Sequence, residues 1–97
     1  MHVRVAIGQF QPGKIDQGVS IYGDSVAPAT KQQKGCVEVL FIVDRNTGKA
    51  MSLTFWETEA DMAAGEASGH YREQVAKMVP TLAAPPATEH YEVAVQQ

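Results

Sequence analysis

The chain has a single cysteine, Cys36, among its 97 residues. No intrachain disulfide framework can therefore hold it, and a lone thiol inside a strand-like run fits a reducing compartment. Cys36 itself reads as a small buried hydrophobe. Positive charge is also scarce, with 8 Lys and Arg against 11 Asp and Glu and a formal net charge of −3. That balance supplies no basic field for phosphates, so nucleic acid is not an expected partner. No apolar run approaches the roughly 18 residues that a membrane-spanning helix needs. The N-terminus passes directly into Val3, Val5 and Ile7, alternating with His2, Arg4 and Ala6. There is no basic segment followed by an apolar one, so a soluble, cytoplasmic protein without membrane association is expected.

Several chemistries are missing as well. Gly13-Lys14 lacks the preceding glycine spacing of a phosphate-binding loop, and no Gly-x-Ser-x-Gly elbow occurs. The three histidines, His2, His70 and His90, include no pair four residues apart on a helix, so no metal site is expected. Glu57 and Glu59 fall where a helix begins, and there carboxylates serve the helix dipole before any acid-base chemistry.

What the chain does have is a hairpin. Asp44-Arg45-Asn46-Thr47-Gly48-Lys49 supplies turn-compatible side chains and a glycine able to adopt positive φ, as a short loop with a bulge requires. Both flanks read as strands: 35–43 is rich in β-branched and aromatic residues, and 49–56 alternates Ala50, Ser52, Thr54, Trp56 against Met51, Leu53, Phe55. A first strand is expected over 2–10 and a last one over 88–96. Ile15, Val19, Tyr22 and Val26 have helical spacing. Gly18 and Gly23 weaken that helix, and Pro28 predicts its end or a kink near Ala27. A second helical region begins after Trp56, with Thr58 as N-cap and Glu59 and Asp61 in the first turn. Gly65, Ser68 and Gly69 predict a break, then a helix over 69–79 with Tyr71, Val75, Met78 and Val79 as its buried stripe.

The order strand, helix, strand, hairpin, strand, helix, strand is the ferredoxin-like arrangement: an α+β fold, βαββαβ, with a four-stranded antiparallel sheet covered by helices on one face. One domain over 1–97 is expected, able to bury ~65% of its unfolded surface. The other sheet face is expected to carry Phe10, Leu40, Ile42 and Trp56. Apolar residues there are costly to solvate, so a second copy of the sheet should cover them in a two-fold homodimer.

The motifs Phe10-Gln11-Pro12-Gly13-Lys14, Gln32-Gln33-Lys34-Gly35-Cys36, Asp44 to Lys49 and Leu53 to Asp61 together resemble the dimeric α/β-barrel superfamily. Within it they resemble the antibiotic-biosynthesis-monooxygenase-like domains. The resemblance implies a homodimeric α/β barrel with a pocket in each subunit between sheet and helices. It also implies relatives that include cofactor-independent monooxygenases of polycyclic phenols or quinols and haem-degrading enzymes. The haem branch carries a further tryptophan and an iron-ligating histidine in the second helical region. Gly65 and Val75 occupy those places here, so no cofactor is expected.

Four residues are candidates for a site that takes a small apolar or aromatic ligand. His70 is the acid-base candidate, because histidine titrates near neutrality and the helix break can aim it at a cavity. Its alternative is an exposed residue at a helix start. Trp56 offers a face for stacking on a planar ligand, or a packing wedge at the strand end. Tyr22 belongs to a buried stripe, with its hydroxyl directed toward a pocket. Arg4 is expected within reach of Glu92 on the neighbouring last strand, either as an ion pair at a rim or as a ligand-binding group. Two functions follow: a cofactor-free monooxygenase, in which the substrate's own anion reacts with dioxygen, or a non-catalytic dimeric binding, structural or regulatory module.

Overall fold

A computed structural model describes all 97 residues. Four strands, β1 (His2–Gln9), β2 (Cys36–Val43), β3 (Lys49–Trp56) and β4 (Ala87–Glu92), form one antiparallel sheet in the order β2-β3-β1-β4. This is the ferredoxin-like order, with the hairpin strands β2 and β3 adjacent and the last strand beside the first. The hairpin closes as its residues dictate. Asp44 Oδ1 accepts from the Asn46 and Thr47 amides at 2.9 and 3.3 Å, and Gly48 turns the chain at φ +80°.

Between β1 and β2 the chain is helical for 17 residues without a stop: α1 (Ile15–Ile21), a π-helical turn (Tyr22–Val26) and α2 (Ala27–Lys31). Pro28 was expected to end or kink this helix. It sits instead in the first turn of α2, where its missing amide is tolerated, and the wider π turn before it absorbs the lost hydrogen bond. The π turn also aims Tyr22 and Val26 inward, where they pack with Phe10, Ala50 and Met78 as the principal core cluster. Tyr22 stacks on Phe41 with ring centroids 4.1 Å apart, and Phe10 meets Phe41 edge-on at 6.0 Å.

After β3, Thr58 caps α3 (Glu59–Ala67) by accepting from the Asp61 amide at 3.0 Å. Gly69 breaks the helix at φ +86°, and α4 (His70–Met78) follows. The buried positions of α4 are Gln74 and Met78; Val79, expected in the stripe, lies 54% exposed in the short 3-10 turn Val79–Thr81. The last strand ends at Glu92, so Val93 and Val95 lie beyond it.

The helices cover the sheet face that carries Arg4, Ala50, Thr54 and Trp56, all at most 5% exposed. Trp56 and Phe10, expected on the open face, are therefore buried beneath helices. Trp56 is fully inaccessible, and the side chain of Gly65, were there one, would meet its ring at 3.6 Å. The hairpin register explains part of the difference. Val43 pairs with Ala50 and Phe41 with Ser52, so odd-numbered residues of β2 share a face with even-numbered residues of β3. Val39, Phe41 and Val43 consequently face the helices. A bulge between Cys36 and Glu38 then restores Cys36 to the side of Trp56. The open face carries Val3, Val5 and Ile7 on β1, Met51, Leu53 and Phe55 on β3, Leu40 and Ile42 on β2, and Tyr91 on β4, with Glu38 and Glu89 on the two edge strands. Leu40, Ile42 and Tyr91 on this face are 42%, 51% and 51% exposed.

Candidate active site

A cleft opens between the covered sheet face and the helices. Its cavity volume is about 70 Å³, and it is partly open to solvent. The sheet supplies small residues to its floor, namely Ala6, Gly8, Ala50, Ser52 and Thr54, and this is why space remains under the helices. Apolar walls come from Val26, Phe41, Val75, Met78, Leu82 and Pro86. Polar groups enter at few points, as a ligand site needs for orientation.

Arg4, Tyr22 and His70 all line this one cleft, although they are separated widely in sequence. His70 is the first residue of α4, placed there by the left-handed Gly69. Its Nε2 lies 3.2 Å from Thr30 Oγ1, a buried hydroxyl on α2. Burial and then the nearby Arg4 charge lower its pKa from the ordinary histidine value. The imidazole is thus held neutral at neutral pH, the form that accepts a proton. The Tyr22 hydroxyl shares a short hydrogen bond with Ser52 Oγ, and burial raises its pKa, so it stays protonated.

Arg4 was expected to pair with Glu92. The β1–β4 register instead sets His90 opposite Arg4 and Glu92 opposite His2. The guanidinium is matched from α3: Nη1 is 3.6 Å from Glu66 Oε2 and donates to the Met62 carbonyl at 3.4 Å. Glu66 in turn receives His90 Nε2 at 3.0 and 3.1 Å. Burial lowers the Arg4 pKa and Glu66 opposes it. Trp56 stands behind Arg4, not in the cleft. Its ring centroid is 5.4 Å from the guanidinium carbon, and its Nε1 donates to Thr54 Oγ1 at 2.9 Å. It positions Arg4 and is not available for stacking on a ligand.

A family model described as antibiotic biosynthesis monooxygenase matches residues 1–77. The chain belongs to this family. Rv2557, an uncharacterized protein of Mycobacterium tuberculosis, is 34% identical over 95 residues, which are 97% of this chain and 41% of the relative. Rv2558 from the same strain is 34% identical over 79 residues, 80% of this chain and 34% of its own length. The chain thus spans less than half the length of these curated relatives. Among solved structures, the cofactor-independent oxygenase SnoaB of Streptomyces nogalater has a TM-score of 0.80 at 10% identity, covering 98% of this chain and 94% of its own. Rv0793 from M. tuberculosis has a TM-score of 0.76 at 15% identity, covering 98% and 96%. At such identities the likeness is one of fold, and it bears out the ferredoxin-like architecture read from the sequence.

In this member of the antibiotic biosynthesis monooxygenase family, three cleft residues escaped the sequence reading. Tyr71 looked like a stripe residue, yet its hydroxyl is buried without a hydrogen-bond partner, and its ring centroid lies 4.7 Å from the Arg4 guanidinium carbon. Gln74, a polar residue, occupies a buried position of α4 and accepts from Lys77 Nζ at 2.8 Å. Thr30 follows from no motif at all. Only the signal at Tyr71 was available in advance, since it neighbours His70 on the same helix start. No group of three His, Cys, Asp or Glu side chains converges as a metal site, and no helix is long and apolar enough to cross a membrane.

Proposed function

We propose that the cleft is the substrate site of a cofactor-independent monooxygenase that acts on a small phenol or quinol, and that the chain works as a homodimer closed through its open sheet face. The observation that carries this reading is the convergence of a neutral His70, a buried cation at Arg4 and the Tyr22 hydroxyl on one apolar cleft. An apolar enclosure suits a flat aromatic body, and few polar groups fix its orientation. The family membership supports the reaction class.

The chemistry follows from these groups. The imidazole of His70 takes a proton from the substrate hydroxyl in the tautomer whose Nε2–H donates to Thr30, which leaves Nδ1 free to accept. The resulting anion is electron-rich, and Arg4 stabilises the charge that develops in the low-dielectric cleft. The anion reduces dioxygen and joins it at a ring carbon as a hydroperoxide. Cleavage of the O–O bond leaves a carbonyl on the substrate and releases the second oxygen as water, with the His70 proton returned to it. The hydroxyl hydrogen and one ring C–H hydrogen leave with the second oxygen, so a phenol and one O₂ become a quinone and one H₂O, with no external reductant. Labelled dioxygen tests the reading: one heavy oxygen is expected in the quinone product and the other in water. A product carrying oxygen from solvent would overturn it.

The open face supports the dimer. Leu40 and Ile42, with the half-buried Val5, Ile7, Met51, Leu53 and Phe55, make an apolar centre flanked by Glu38 and Glu89 at the edge strands, of the kind that a second sheet covers.

A further inference from the structure

Arg4 is only 2% exposed, yet all of its polar contacts run through one nitrogen. Nη1 meets the Met62 carbonyl and Glu66, and the chain offers no acceptor to Nε or Nη2. The rings of Trp56 and Tyr71 flank the guanidinium at 5.4 and 4.7 Å. The Tyr71 hydroxyl is buried without a hydrogen-bond partner. An unpaired buried donor such as the Tyr71 hydroxyl is costly, and Arg4 lines the same cleft against the Tyr71 ring, so this end of the cleft supplies donors and lacks an acceptor. The single carboxylate within reach, Glu66, is shared with His90, so it does not saturate the cation.

We propose that the Arg4–Tyr71 end of the cleft binds a carboxylate, and that the substrate is an aromatic carboxylic acid whose flat body lies along Phe41, Val75, Met78 and Leu82. The proposal rests on the reading of the cleft as the substrate site and narrows the substrate class. A planar guanidinium edge with two free nitrogens matches the two oxygens of a carboxylate, and the tyrosine hydroxyl adds a third donor. The carboxylate takes the guanidinium directly, and the phenolate formed at His70 is stabilised by the Arg4 charge only through the field of the cleft. A phosphate dianion would bring twice the charge to a cation already half neutralised by Glu66.

Isothermal titration calorimetry at neutral pH with the full chain tests this, using naphthoate and its neutral isostere naphthamide as probes. Wild type is expected to bind naphthoate about tenfold or more tightly than naphthamide, the range for a charge-assisted pair. Tyr71→Phe, which keeps the ring and the fold, is expected to weaken naphthoate by about threefold or more and leave naphthamide unchanged. Arg4→Lys is expected to keep part of the preference, because it retains the charge and loses the two-nitrogen edge. Equal binding of the two probes, binding of neither, or a Tyr71→Phe protein indistinguishable from wild type would each overturn the proposal. The outcome is separable from the oxygenase reading: a carboxylate preference without oxygen consumption would leave this site standing and remove the reaction.

Discussion

Thr30 Oγ1 lies 3.2 Å from His70 Nε2, a contact that joins the end of the first helical segment to the start of α4. It fixes the imidazole from the side opposite the helix break. Burial and then the Arg4 charge lower the pKa of this ring, which favours its neutral form.

That environment has a pH consequence. An NMR titration of the His70 ring is expected to give a midpoint below the ordinary value of 6.5. Activity that needs the neutral ring should rise from acid pH and be level through neutrality. The stability linkage has a defined sign. The folded state binds fewer protons at this site than the unfolded state between the two midpoints, so His70 favours folding above 6.5 and that contribution is lost as pH falls through the folded midpoint. A midpoint at or above 6.5 would contradict the assignment.

Gly18 is the second test. Its position in α1 looks like a liability of about 1 kcal/mol in helix propensity. A Cβ built there would lie 2.0 Å from the ring of Phe10, which is itself 2% exposed and packed edge-on against Phe41. Gly18→Ala should therefore destabilise the fold by ~1–3 kcal/mol, because overpacking outweighs the propensity gain. Chemical denaturation measures it, and an unchanged or higher midpoint would show that the ring yields.

Trp56 has a structural role that predicts a large effect. With no exposed surface, a hydrogen bond to Thr54 and its ring beside Arg4, it anchors the end of β3 beneath α3. Trp56→Ala is expected to cost ~3–5 kcal/mol in urea unfolding, a large share of a domain's stability. A loss below ~1 kcal/mol would mean that the site collapses without penalty.

The open sheet face gives a prediction about assembly. Light scattering is expected to report twice the chain mass for wild type at micromolar concentration. Ile42→Glu, which places a charge in the middle of the apolar surface, should shift it to the monomer. A wild-type monomer would remove the homodimer from the account.

Much of this architecture was legible in the sequence. Asp44 to Lys49 announced the hairpin, Lys49–Trp56 matched the third strand residue for residue, and Thr58 and Gly69 marked a cap and a break where the helices have them. Alternation told which residues within a strand share a face, but not which face the helices would choose. It also could not say that the hairpin pairs Val43 with Ala50 and so inverts β2 relative to β3. Pro28 misled because the π turn before it has no signature in composition. His70, Tyr22 and Arg4 were named from chemistry, and the fold gathers them in one cleft. Thr30 and Glu66 became visible only through long-range contacts across 40 and 62 positions of sequence, as in Thr30–His70 and Arg4–Glu66.

The oxygenase reading stands or falls on oxygen uptake with a panel of quinols, measured for wild type and His70→Ala at neutral pH. Wild type is expected to consume one O₂ per quinol oxidised, and His70→Ala to be slower by about 10²–10⁴-fold, the usual contribution of a general base. Uptake by wild type no faster than in buffer would contradict the monooxygenase assignment, and equal uptake by both proteins would remove His70 from its mechanism.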